Sequence, residues 1–406
     1  MGMKDSTRSK RSDLGGESAE LPMGFRAAGL AAGIKRSGAP DLALIVSDSP
    51  ASAAGLFTTN QVQAAPVQLD RERIRRGRAR AIIANSGCAN ACTGPRGLRD
   101  AQRTAELVAR QLGIPDEDVL VCSTGSIGVP LPMDRIAAAI PSLAAALSPH
   151  GGTAASEAIM TTDTRPKRWS VALNIRGKIV RVTGIAKGAG MIEPHMATML
   201  AFILTDARVP AAALRRLLRA AADESFHRIT VDGDQSTNDT VLMLANGSSG
   251  MDVRPGEPGW AAFECAVHET TFKLAQMIVR DGEGATKLIT IHVTGARSDR
   301  EADLAARSVA NSMLVKTAWA GPNANWGRVM DALGYSPAKV VPEKVHIWFD
   351  HLRAVVRGGP GPASREELSA VVARPEFTVR IDLGLGRGQA VVYTCNCTED
   401  YVRINM

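Results

Sequence analysis

Cysteine is scarce in this chain. There are six in 406 residues, Cys88, Cys92, Cys122, Cys265, Cys395 and Cys397. That density is too low for a disulfide-held scaffold. No CxxC pair exists and no nearby histidine completes a zinc pattern, so no metal site is expected. Reduced, mostly buried thiols and a cytoplasmic location are the expectation. Aromatic residues make up only 4% of the chain. None lies in the arginine-rich stretch 71–80 (RERIRRGRAR), so the base-stacking partners of a nucleic-acid face are missing there. A solvated loop before a strand is expected instead, and no nucleic-acid partner. No run approaches the roughly 18 apolar residues of a membrane span. The best candidate, 137–147 (AAAIPSLAAAL), is short and broken by Pro141. The first twenty residues lack the apolar core of a secretory signal. Gly2 and Ser6 fit only the loose myristoylation pattern, and residues 1–20 are expected to form a disordered tail.

What is present reads as globular. Apolar residues are 45%, charged residues 22%, and the net charge is +7. Apolar strand-like runs occur at 42–47, 80–84, 118–122, 170–174, 199–205 and 240–245, each ending near Gly, Asn, Ser or Thr. Helical patterns fall at 99–113, 210–222 and 257–280. The strands are apolar on both faces rather than alternating, as in sheets covered on both sides. The fold class that follows is α+β, a layered sandwich. Beyond about residue 290 come strands at 291–296, 346–350, 377–384 and 389–395, with a helical stretch at 300–318. The expected division is a catalytic unit over 21–290 and a smaller α/β unit over 291–406.

The chemistry concentrates in a few short stretches. KGAGMIEPHMATML (187–200) joins a Gly-rich turn to an apolar strand through Ala197-Thr198. A threonine hydroxyl is a poor nucleophile without an adjacent base. Cutting the Ala197–Thr198 bond would supply one, the α-amine of Thr198, whose ordinary pKa of about 7.7–8.0 suits neutral pH. The plainer alternative is a threonine chosen for strand propensity. His195 is close in sequence but is not needed as a base. In CSTGSIG (122–128), the Thr124 hydroxyl and Gly125 N–H could form an oxyanion hole, or the stretch is a plain turn. DGEGATK (281–287) presents Glu283 between glycines but lacks the P-loop spacing. Lys187 could bind a substrate carboxylate. Ordinary surface salt bridges would explain either residue equally well.

Ten collinear stretches then mark a family: GFRAAGLAAGIK (24–35), NSGCANACTG (85–94), STGSIG (123–128), AIMTTDTRPK (158–167), KGAGMIEPHMATML (187–200), STNDT (236–240), DGEGATK (281–287), NSMLVKTA (311–318), NANWGR (323–328) and YVRIN (401–405). The sequence resembles the bifunctional glutamate N-acetyltransferase/ornithine acetyltransferase family of arginine biosynthesis. The resemblance implies a layered α-β-β-α sandwich and a precursor that cuts itself before Thr198. The cut chains would assemble as α2β2. It implies ping-pong transfer of acetyl from N-acetylornithine to glutamate through Thr198, without a cofactor; acetyl-CoA serves some members as a donor substrate. Thr124 and Gly125 would form the oxyanion hole, and Thr161, Lys187, Glu283 and Asn405 would contact substrate. Other readings of the same nucleophile are an amidohydrolase or aminopeptidase, or a paralogue with another acceptor amine. An inactive, uncut relative would only bind amino acids. Cys88 stands where the family usually has Asn. Glu193 and His195 replace commoner residues before the bond to be cut, with an altered cleavage rate as the expected effect. The family usually continues a few residues past YVRIN, so one substrate contact is expected to be missing after Met406.

Overall fold

The computed structural model describes residues 15–193 and 199–406. Among them, nine strands form one sheet. In chain order these are β1 (Gly15–Gly16), β2 (Phe25–Leu30), β3 (Leu42–Phe57), β4 (Arg78–Cys88), β5 (Val119–Ser126), β6 (Lys167–Ile175), β7 (Lys178–Lys187), β8 (Leu200–Thr205) and β9 (Thr240–Ala245). Residues 42–47 of β3 pair with β2 on one side, and most of that stretch pairs with β4 on the other. After a register shift between Val46 and Ala51, residues 52–57 pair with β9. The long strand therefore belongs to both halves of a sheet that folds over on itself.

That folding explains strands with no polar face. In β8, Leu200, Phe202 and Leu204 enter the core shared with β2–β5, whereas Ala201 and Ile203 enter a second core under the helices α5 and α6. In β4, Ile82 and Ala84 face the shared core, whereas Ala81 and Ile83 face the helices on the opposite side. Successive side chains point to opposite faces, and both faces are covered. The layers are helix, sheet, sheet, helix, as expected. The outer helices are α1 (Ala65–Arg73), α2 (Gly94–Leu112) and α3 (Met133–Ala145) on one side, with the short α4 (Gly152–Ala158) packed at β2 and β3. On the other side lie α5 (Ala211–Asp223) and α6 (Trp260–Arg280).

A second sheet of six strands holds β10 (Leu288–Ala296), β11 (His346–Phe349), β12 (Leu352–Val356), β13 (Gly359–Pro360), β14 (Glu376–Asp382) and β15 (Gly388–Cys395). It carries its own core with α7 (Asp299–Asn311), α8 (Met313–Ala320), α9 (Trp326–Gly334) and α10 (Arg365–Val372). It starts at Leu288, inside the unit expected to end at 290. The terminal α11 (Glu399–Ile404) returns to the first sheet's cavity.

Three local expectations are corrected. Gly15–Gly16 pairs with β6, so the expected tail is placed from residue 15 onward; residues 1–14 lie outside the described residues. The helix expected over 300–318 is two, because extended Ser312 caps α8 by accepting the Val315 N–H. Pro141, which interrupts the apolar run 137–147, sits within α3. Its missing bond costs about 3 kcal/mol. Burying Ile136, Ile140 and Leu143 on that helix returns about 1.5–3 kcal/mol each. Finally, 71–80 is no solvated loop. Arg73 is buried and donates to the Asp116 and Val119 carbonyls at 2.6 Å, while Arg76 and Arg78 each reach buried Asp118 at 3.1 Å. The arginines hold the turn that feeds β5. Cys88, Cys122 and Cys395 are buried, half of the six, and all six thiols are free.

Candidate active site

Three strand ends and two loops converge on one place. β7 stops at Lys187, and β8 begins at Leu200 directly opposite it. The segment between therefore leaves and re-enters the sheet at one point. β5 runs parallel to β4 and ends in Thr124, Gly125 and Ser126. The turn after α4 brings Thr161, the turn after α6 brings Glu283, and α11 brings Asn405. A cavity of about 770 Å³ is lined by all of Thr124, Gly125, Thr161, Lys187, Glu283 and Asn405. The six described residues singled out from sequence thus meet. Ala197, Thr198 and His195 lie outside the described residues.

Glycine is required at two points. Gly125 has φ +130°, and a Cβ there would overlap the Gly87 carbonyl carbon and sit 2.6 Å from the Cys88 nitrogen. Only a residue without a side chain lets the ends of β4 and β5 close up this far. At Gly190, a Cβ would collide with the Glu283 carboxylate. Glu283 is held there by its own N–H, which donates to the Ala189 carbonyl at 2.9 Å, and by Asn405 Nδ2, which donates to Oε2 at 2.7 Å.

Lys187 is buried and organises the opposite wall. Its Nζ donates to Thr161 Oγ1 at 2.7 Å and Thr124 Oγ1 at 3.4 Å, and lies 3.8 Å from Asp163 Oδ2. An ammonium only donates, so both hydroxyls accept from it and direct their own protons elsewhere. The Thr124 O–H is thereby free for an acceptor in the cavity. Burial lowers the Lys187 pKa, opposed mainly by Asp163. Burial alone would raise the Asp163 carboxyl, but Lys187 and Lys167 hold it well below the usual carboxylate range. Asp163 also accepts the Gly188 N–H at 2.7 Å and the Thr161 N–H at 3.0 Å. Lys167 bridges Asp163 at 2.6 Å and Asp281 at 2.5 Å. One buried charge network thus ties the turn after α4 to that after α6. The cavity wall carries both signs, Lys35 and Lys187 against Asp232, Asp234 and Glu283. That suits a small molecule bearing both ammonium and carboxylate. Among the described residues, no group of three or more His, Cys, Asp or Glu is arranged to hold a metal ion, and no helix is long and apolar enough to cross a membrane.

The sequence model of the ArgJ family matches residues 26–406. The chain belongs to the ArgJ family. It is 52% identical over 385 residues to the arginine biosynthesis bifunctional protein ArgJ of Geobacter sulfurreducens, covering 94% of this chain and 98% of that one. The protein of the same name from Symbiobacterium thermophilum is 51% identical over 387 residues, covering 95% and 96%. A solved structure of ornithine acetyltransferase from Mycobacterium tuberculosis, complexed with ornithine, is 46% identical over a match covering 44% of this chain and 95% of that one, with a TM-score of 0.41. The expectation of a bifunctional acetyltransferase of arginine biosynthesis stands with the family.

This ArgJ chain also uses residues to which sequence reasoning gave no role. Asp232 accepts the Met191 N–H at 2.6 Å and the Ile192 N–H at 2.8 Å, with Tyr401 Oη 3.4 Å away. It fixes one flank of the segment that carries Ala197–Thr198. Asp239 fixes the other, accepting the Met199 N–H at 2.8 Å. Asn238 donates to the Ala89 and Ser123 carbonyls at 2.6 and 2.8 Å, bracing the NSGCANACTG loop against β5. The STNDT stretch contains both Asn238 and Asp239; a run of polar residues opening a wholly apolar strand was the available signal. Cys88, the departure from the family's Asn, packs with Sγ 3.1 Å from the Val129 carbonyl.

Proposed function

We propose that this chain carries acetyl from N-acetylornithine to glutamate on the Thr198 hydroxyl oxygen, after cutting itself before that residue. In the cut, Thr198 Oγ attacks the Ala197 carbonyl. The peptide C–N bond breaks, an ester forms, and water releases it, leaving a free α-amine on Thr198. In the first half-reaction that amine takes the hydroxyl proton while Oγ attacks the acetyl carbon of N-acetylornithine. Thr124 Oγ1–H and the Gly125 N–H receive the oxyanion. The amide C–N bond breaks, and the proton passes to the departing ornithine amine. Glutamate's amine then attacks the acetyl ester, the C–Oγ bond breaks, and Thr198 recovers its proton. Lys187, Thr161, Glu283 and Asn405 hold the amino-acid part of each substrate.

The observation that carries this reading is the convergence of those residues on one two-signed cavity, where the segment bearing Thr198 leaves and rejoins the sheet. The β7–β8 pairing from Lys187–Leu200 to Val182–Thr205 supports a cut chain that stays together, because the two products share a sheet. Assembly as α2β2, acetyl-CoA as a second donor, and the division into a catalytic sandwich and a smaller C-terminal unit belong to the same reading. The test is ornithine release from N-acetylornithine with and without glutamate. Glutamate-dependent release with N-acetylglutamate as product is expected, and acetate formed regardless of glutamate would make the chain a hydrolase. Thr198→Ala is expected to abolish both cutting and turnover.

A further inference from the structure

Among the described residues, the charged side chains lining the cavity are Lys35, Lys187, Asp232, Asp234 and Glu283. Three of these are already committed to the protein. Lys187 Nζ donates to Thr161 and Thr124 and faces Asp163. The two Asp232 oxygens accept the Met191 and Ile192 N–H groups. Glu283 Oε2 accepts from Asn405 Nδ2. Lys35 and Asp234 are different. Lys35 Nζ donates once, to the Pro40 carbonyl at 2.7 Å, and forms no ion pair among the described residues. An ammonium has three protons to donate, so two remain. The Asp234 carboxylate accepts no hydrogen bond and forms no ion pair among the described residues, although the Asp234 N–H donates to Asp232 Oδ1 at 3.3 Å.

Both charges are carried on fixed backbone. Asp41 is fully buried and accepts the N–H groups of Ala32, Ile34 and Lys35 at 2.6, 2.6 and 2.8 Å, which pins the loop bearing Lys35. The Lys35 stem lies along the end of β4, where a Cβ on Gly87 would stand 3.1 Å from Lys35 Cγ. Asp232 pins the loop bearing Asp234 through the Asp234 N–H. Lys35 is partly exposed and Asp234 exposed, so both belong to the outer part of the cavity. Lys187, beside the Thr124 hydroxyl, is buried.

Substrate chemistry says why the outer part needs both signs. N-acetylornithine and glutamate share the α-carboxylate and the reacting nitrogen, and they differ at the end of the side chain. Counted from that nitrogen, the fifth bond reaches an ammonium nitrogen in one and the carboxylate oxygens in the other. Ping-pong transfer uses one site for both in turn, so the same region meets opposite charges in the two half-reactions. We infer that Lys35 and Asp234 are the specificity residues for the side-chain ends, Asp234 receiving the ammonium of N-acetylornithine and Lys35 the carboxylate of glutamate. The inference rests on the acetyl-Thr198 reading and deepens it by adding what tells the two substrates apart. Asp234 alone would favour the donor and repel the acceptor, and Lys35 alone would do the reverse. Because the two are not paired with each other, each is available without an ion pair having to break.

The test measures kcat/KM for N-acetylornithine and for glutamate in the full chain, in Lys35→Met and in Asp234→Asn. In ping-pong kinetics each constant reports one half-reaction. The ratio of the glutamate constant to the N-acetylornithine constant is expected to fall roughly tenfold in Lys35→Met and to rise roughly tenfold in Asp234→Asn, the low end for a hydrogen bond to a charged group. Glutamine is neutral at the same position, so Lys35→Met is also expected to narrow the preference for glutamate over glutamine as acceptor. Ratios that do not move, or equal losses for both substrates as a general distortion would give, overturn the proposal. Titration calorimetry with ornithine and with glutamate reads the same preferences without turnover. Weaker ornithine binding by Asp234→Asn and weaker glutamate binding by Lys35→Met are expected, and unchanged binding in both overturns the proposal. A wild type that binds both amino acids yet transfers no acetyl group sinks the acetyl-Thr198 reading, and the titrations then decide the charge assignment by themselves.

Discussion

Gly125→Ala separates two accounts of the oxyanion hole. Alanine keeps the backbone N–H, so an account in which that donor alone matters expects full activity. The structure says otherwise. The backbone at Gly125 has φ +130°, where an L-residue costs about 1–3 kcal/mol. The added methyl would also overlap Gly87 and Cys88. Relieving that overlap moves the ends of β4 and β5 apart and costs a further 1–3 kcal/mol or so. A displacement near 1 Å of a group facing the reacting atoms costs roughly a hundredfold in rate. Gly128→Ala is the control: its φ is +81°, but a Cβ there meets nothing within 4 Å. It should lose about 1–2 kcal/mol of stability by backbone strain alone and keep its kcat. The assays are urea unfolding and acetyl transfer from N-acetylornithine to glutamate. Wild-type kcat in Gly125→Ala, or an equal loss in Gly128→Ala, would refute the close-approach argument.

Thr124→Ala should lower kcat roughly ten- to a thousandfold with little change in KM, the range for loss of one oxyanion donor; an unchanged rate of enzyme acetylation would remove Thr124 from the mechanism. Lys187→Met should raise KM for N-acetylornithine and also lower kcat, because Thr124 loses the donor that directs its hydroxyl; a rise in KM alone would confine Lys187 to substrate binding. Burial lowers the Lys187 pKa, so wild-type activity should decline on the alkaline side below the ordinary lysine value of about 10.4 as the ammonium becomes neutral. Asp163→Asn leaves Lys167 and Lys187 without a shared partner and should cost about 3–5 kcal/mol by urea unfolding. Since the folded Asp163 pKa lies below its unfolded value, its contribution is complete above about pH 5 and is lost as the pH falls; a wild-type-minus-Asn difference that stays constant from pH 7 to pH 3 would contradict this.

The layered fold was legible because strands such as LAFILT are apolar at all positions but the last, which a doubly covered sheet accommodates. The candidate site was legible where a motif carries its residues together, as in STGSIG and KGAG, whose Thr124, Gly125 and Lys187 line one cavity. What escaped was long-range. Nothing near Asp163 points to Asp281, yet Lys167 links the two. Nothing in STNDT says that one of its carboxylates grips Met199. Arg73, Arg76 and Arg78 read as a solvated run because their partners, Asp116 and Asp118, lie some forty residues away in sequence.

The central claim is a covalent acetyl on a threonine that scission has made N-terminal. Intact-mass measurement of the purified protein, before and after N-acetylornithine without glutamate, addresses it directly. The account predicts two fragments, the second beginning Thr-Met-Leu-Ala, with the mass of one acetyl group added to that fragment alone and removed again by glutamate. A single uncut chain that nevertheless turns over, or an acetyl found on the N-terminal fragment, would contradict it.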